Sequence, residues 1–132
     1  MRRAPVALAT VGLLGVLACG CEVADVALPQ PPLGGTGWGA HAEEHRGANG
    51  QMFRYECPPD GTPGGVWGTD IYTDDSSVCT AGVHAGVITR AAGGMVRIII
   101  RPGIGAYHGS SRNGITTERW EQWDGSFVVV KP

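Results

Sequence analysis

The stretch DDSSVCTAGVHAGVI, residues 74–88, limits the fold more than any other part of this chain. On a helical projection Val78, Ala81, Ala85 and Ile88 form one apolar stripe, and Cys79, Val83, Gly86 and Val87 form a second beside it. Only Ser77, Thr80 and His84 share a narrow polar edge. A helix apolar nearly all round has to be buried nearly all round, so the rest of the domain must surround it. Asp74, Asp75 or Ser76 is placed to cap its start, where a side-chain oxygen meets free backbone N–H groups and acids suit the dipole. Gly82 and Gly86 each cost about 1 kcal/mol relative to alanine in a helix, which is tolerable where strands approach closely.

The same projection bears on chemistry. Cys79 and His84 are five positions apart, about 140° around the axis at ~100° per residue, so they cannot act as a nucleophile and its base. Strand patterns flank the helix. MFRYEC alternates, with Phe53, Tyr55 and Cys57 on one side and Arg54 and Glu56 on the other. VWGTDIY, MVRIIIR and SFVVVK are β-branched and aromatic runs, the middle one bounded by Gly93-Gly94 and Pro102-Gly103. The fold class expected is α+β, with a central buried α-helix, antiparallel β-strands wrapped around it, and one disulfide.

Before the domain, residues 1–21 have the form of a signal peptide. Arg2 and Arg3 give a positive start, and Ala4 to Leu17 is uncharged and mostly apolar. A retained membrane helix would need ~17 to 25 apolar residues, and the uncharged 18 from Ala4 to Cys21 include Pro5 and three glycines. VLACGC resembles a bacterial lipobox, which makes Cys19, alternatively Cys21, the acylated residue. Residues 22–50, with LPQPPLGGTGWGA, have the composition of a Pro/Gly-rich linker, leaving 51–132 as the folded domain.

Several functional classes lose support here. Of ten basic residues Arg2 and Arg3 fall in the leader, leaving eight against twelve acidic ones, a net of −4, which offers no footprint for nucleic acid. HAEEH, residues 41–45, fits the H-x-x-E-H pattern of a zinc peptidase, with His41 and His45 as ligands and Glu44 as base. Gly39 and Gly47 leave that helix too short, and no third ligand follows at a recognisable spacing. His84 and His108 with Asp70, Asp74 or Asp75 also lack ligand spacing, so no metal and no cofactor is expected. GSSRNG at 109–114 lacks the nucleophile elbow of a serine hydrolase and has the composition of a turn. With Cys19 and Cys21 in the leader, Cys57 and Cys79 remain as an even pair in an exported domain, which points to a disulfide.

VWGTDIYTDDSSVCTAGVHAGVI, GGMVRIIIRPG, AYHGSSRNGIT and WDGSFVVV together resemble, in order, the LCCL domain family, the type of factor C, cochlin and a late-gestation lung protein. The resemblance covers about residues 51–132 of a bacterial lipoprotein-like precursor. It implies a central helix wrapped by β-strands with disulfides, and an extracellular, non-enzymatic binding module. Lipopolysaccharide binding and host-defence roles have been proposed for some members. Ser76, Ser77, Cys79 and His84 match the helix motif, with Cys57 as the cysteine partner. Tyr107, Ser110, Asn113 and Gly114 match the loop motif, which becomes the candidate ligand loop. Animal members usually have four cysteines where this domain has two, so one bridge is missing.

The function expected is an exported, lipid-anchored module of the cell envelope or outer membrane, alternatively secreted, which binds a polysaccharide, lipid or envelope protein and is not an enzyme. Trp120 and Trp123 in RWEQW can stack on sugars if exposed, and at least one is expected in the core. The alternatives are a structural envelope lipoprotein without a soluble ligand, and a metal-dependent hydrolase built on His41, Glu44 and His45.

Overall fold

In MFRYEC the period-2 pattern has its physical consequence. Strand β2, Met52–Cys57, buries Phe53, Tyr55 and Cys57 while Glu56 stays in solvent. This computed structural model describes residues 29–132, so the signal peptide and lipobox expected from the sequence, with Cys19 and Cys21, lie outside the described residues. Strand β1 is Leu33–Thr36, β3 Gly68–Thr69 and β4 Ile71–Thr73. Helix α1 is Val78–His84, followed by β5 at Gly94–Ile104. A hairpin of β6, Ser111–Arg112, and β7, Ile115–Thr116, precedes β8 at Trp123–Val129. Six strands form one sheet in the order β1-β2-β5-β8-β4-β3, and β6 and β7 pair separately.

The architecture is α+β with one short helix. Its sheet is mixed, which corrects the expectation of antiparallel strands throughout: β1 runs parallel to β2. A parallel pair needs a crossover of about a dozen residues or more, and residues 37–51 supply it. That segment is folded. Ala42 is fully buried, Trp38, Ala40 and Ala48 pack on the core, and the Tyr55 hydroxyl donates to the His41 carbonyl at 2.9 Å. Residues 33–50 therefore belong to the domain rather than to the linker read from composition. Two of the four glycines that suggested a spacer have a packing role, since a Cβ on Gly34 or Gly35 would stand 2.5 or 2.9 Å from the Tyr55 ring. VWGTDIY is likewise two strands, because Asp70 at φ 70° turns the chain between β3 and β4.

All seven residues of α1 are buried, as a helix apolar on every side requires. Sheet residues lie on one flank, where a Cβ on Gly82 would meet Val96 at 2.5 Å. Loops cover other parts: the Gly64 N–H donates to Thr80 Oγ1 at 2.9 Å, and Ser77 Oγ donates to the Trp38 carbonyl at 2.8 Å. The cap is Ser77, whose oxygen accepts from the Thr80 N–H at 3.2 Å, and not Asp74, Asp75 or Ser76. Ser76 is engaged elsewhere, accepting from the Trp67 N–H at 3.0 Å. The helix stops well short of Ile88 because Gly86 takes φ 85°, a left-handed conformation that suits glycine. Core packing on the sheet comes from alternate residues Val96, Ile98 and Ile100 of β5, with Tyr72 and Phe127 beside them.

Candidate functional site

The helix-motif residues face inward. His84 is fully buried, and its ring links two hydroxyls, Tyr72 at 2.9 Å through Nδ1 and Ser110 at 3.1 Å through Nε2. A neutral imidazole with one donor and one acceptor nitrogen satisfies both partners. Burial pushes the His84 pKa below its ordinary value, against a smaller opposing contribution from Ser110. Burial likewise pushes the Tyr72 phenol up to about 12. A depressed folded-state histidine pKa leaves stability intact above the unfolded value of about 6.5 and removes it as pH falls from there toward the folded value. Thermal melts at about pH 7 and about pH 5 should therefore show a loss in the wild type that shrinks in His84→Gln; equal losses would contradict this role.

The candidate ligand loop is largely committed to the fold. Tyr107 is buried, its hydroxyl accepting from the Ile104 N–H at 3.1 Å and donating to the Trp123 carbonyl at 3.3 Å. Ser110 bonds to His84, and Asn113 Nδ2 donates to the His84 carbonyl at 3.0 Å. Asn113 and Gly114, at φ 52° and 81°, form the two-residue turn between β6 and β7. Both border an open cleft of about 340 Å³ shared with Val83, Ile88 and Arg90. Of the four loop residues, these two border this cleft, while Ser110 is half-buried and Tyr107 buried.

A different cluster presents more binding chemistry. Asp74 is 1% exposed and accepts from Arg46 Nε and Nη2, both at 2.8 Å, and from Trp123 Nε1 at 2.8 Å. Burial opposes its ionisation, but the hydrogen bonds from Arg46 and Trp123 outweigh that and hold the carboxyl below the usual range. This fixes the Trp123 indole, over which the Arg46 guanidinium lies 5.6 Å from the ring centroid. The next residue, Asp75, lines a pocket of about 60 Å³ with Trp67, Thr73, Trp120 and Trp123. Trp120 is 47% exposed at this pocket and also borders a wider groove of about 430 Å³ with Arg119, Glu121 and Gln122. RWEQW thus splits, one tryptophan tied down and the other in solvent. Trp67, Asp75, Arg46 and Asp74 were not recognised as parts of one site from sequence.

The other sequence candidates fall into place separately. Within HAEEH only Glu43–His45 is helical, as a single 3-10 turn, so His41 and His45 have no α-helical face to share. The His45 ring stacks on Phe53 at 4.0 Å, and Glu44 points to solvent. Among the described residues no three His, Cys, Asp or Glu side chains come together to hold a metal ion. Cys57 and Cys79, 22 positions apart in sequence, form a disulfide with Cα atoms 5.8 Å apart.

Comparison with known proteins agrees with this architecture. The chain is 41% identical to human cochlin over 66 residues, which is 50% of this chain and 12% of that protein. It is 40% identical to human vitrin over 68 residues, covering 50% of this chain and 10% of the relative. Clotting factor C of Tachypleus tridentatus is 39% identical over 80 residues, 59% of this chain and 8% of its own length. The chain thus spans only about a tenth of these relatives. The LCCL domain model matches residues 36–127, a span that takes in the 37–51 crossover as well as the helix, the disulfide and β8, and so this chain belongs to the LCCL domain family.

Proposed function

We propose that the protein is an exported, lipid-anchored binding module that recognises a component of the cell envelope, best read as a polysaccharide, and catalyses no reaction. The observation that carries this is the half-exposed Trp120 at the junction of the tryptophan pocket and the polar groove. An exposed indole offers a flat apolar face to the C–H side of a sugar ring, while Arg119, Glu121 and Gln122 supply donors and acceptors for hydroxyl groups. The disulfide supports export, because such bonds persist in oxidising compartments. Lipidation at Cys19, alternatively Cys21, would hold the domain close to a membrane surface. Candidate ligands include lipopolysaccharide, other envelope lipids and envelope proteins. Asn113 and Gly114 at the second cleft are proposed as a further contact, and Tyr107 and Ser110 as its support.

Mass spectrometry of the mature protein tests the export step, with an acylated N-terminal cysteine expected and an intact Met1 the result against it. Retention on immobilised envelope polysaccharides, lipids and proteins tests the binding step. At least one should retain the protein, and a clean negative across all three classes would remove the proposal.

A further inference from the structure

We propose that the pocket formed by Trp67, Trp120 and Trp123 with Asp75 takes an ammonium group, so that the ligand of this site carries a positively charged nitrogen. This deepens the polysaccharide proposal and rests on it for the location of the site. Size is the first argument. The pocket holds about 60 Å³, against roughly 300 Å³ or more for sites that enclose a whole small molecule. The space is too small to enclose a pyranose ring, whereas a compact group of about four heavy atoms matches its size.

Charge is the second. Three indole rings line the space, and the face of an indole attracts cations through its quadrupole. Trp123 already has a guanidinium against it. Asp75 adds a carboxylate, and none of the ion pairs among the described residues includes it. Its neighbour Asp74 is already matched by Arg46, so that pair neither competes for the incoming cation nor repels it strongly. The groove beyond Trp120 gives room for the body of the ligand while its ammonium occupies the pocket. An amino sugar and an aminated lipid headgroup share this chemistry.

The test uses the full chain with ¹⁵N-labelled tryptophan, choline as the probe and 3,3-dimethylbutan-1-ol as its uncharged counterpart. The chain has four tryptophans, and Trp38, whose Nε1 donates to the Pro58 carbonyl at 2.8 Å, is the internal control outside the pocket. Choline should shift the indole signals of Trp67, Trp120 and Trp123 saturably and leave Trp38 in place, and the alcohol should not. Asp75→Asn should weaken choline binding about fivefold, the worth of roughly 1 kcal/mol of charge attraction. Equal response to the alcohol, or unchanged affinity in Asp75→Asn, would overturn the assignment. Glucosamine oligomers against their N-acetylated forms, and ethanolamine-headgroup vesicles against phosphatidylglycerol vesicles, then separate the two sources. Retention of neutral polysaccharides without any choline response defeats the ammonium proposal alone. A choline response without polysaccharide retention defeats the polysaccharide proposal alone.

Discussion

Cys79→Ser should lower the melting temperature by on the order of 15 °C or more under oxidising conditions and by a smaller amount under reduction. The bridge closes a loop of 22 positions, for which chain entropy gives about 3 kcal/mol. In a domain of this size each kcal/mol moves the midpoint by about 4 to 8 °C. The cost does not end with the loop, because residue 79 is fully buried and a serine hydroxyl there must find a partner or lose its hydration. Paired melts with and without dithiothreitol separate these contributions: the difference between the two proteins under reduction reports the hydroxyl, and the remainder reports the bridge. Equal melting of both proteins when oxidised would show that the disulfide contributes nothing to the fold. Because α1 is only seven residues long, far below what an isolated helix needs, the bridge from Cys57 on β2 also keeps it against the sheet.

Arg46→Met should cost about 2 to 3 kcal/mol near neutral pH, just below the roughly 3 to 5 kcal/mol of breaking a fully buried ion pair, since the guanidinium side is partly open to water. The variant leaves the Asp74 carboxylate at 1% exposure with the Trp123 N–H as its remaining strong donor. Acidity then gives a readout specific to charge. In the wild type the depressed Asp74 pKa contributes stability above the unfolded value of about 3.9, lost as pH falls through the folded value. Without Arg46 the folded pKa rises, so protonation relieves the penalty and the gap between the two proteins should narrow as pH falls toward 4, the ordinary carboxylate range. A gap independent of pH would mean that Arg46 acts through packing alone. The same variant loosens Trp123, which links the stability of this pair to the pocket it supports.

What could be read from the sequence follows from which residues carry a pattern of their own. Val96, Ile98 and Ile100 announce β5 by strict alternation, and the apolar surround of Val78–His84 announces burial before any neighbour is known. Strand β1 carries no such pattern, being four residues with two glycines, and it is defined by its pairing with β2 and by the Tyr55 ring that lies against its glycine backbone. Asp74, Asp75 and Ser76 stand in a row as candidate caps, with Ser77 next to them on the polar edge of the helix. Tertiary demand selects among them: Asp74 serves Arg46, Ser76 serves the Trp67 N–H, and Ser77 is left to cap. The pocket was illegible for a related reason. Trp67 looked like a strand residue and Asp75 like a cap, and the pairing of β4 with β8 together with the bridge from Trp67 to Glu118 brings their segment beside Trp120 and Trp123. The Tyr107 to Gly114 loop was visible as a motif, but its signal largely records how the loop locks onto His84.

The central claim is that this LCCL domain binds through its tryptophan face, and affinity for the retained polysaccharide measured on the wild type and Trp120→Ala tests it most directly. Trp120 is half exposed, so the variant should fold with an unchanged melting temperature. A loss of tenfold or more, about 1.4 kcal/mol, is the result this account predicts. Equal affinity in two equally stable proteins would contradict it and place the ligand elsewhere on the domain.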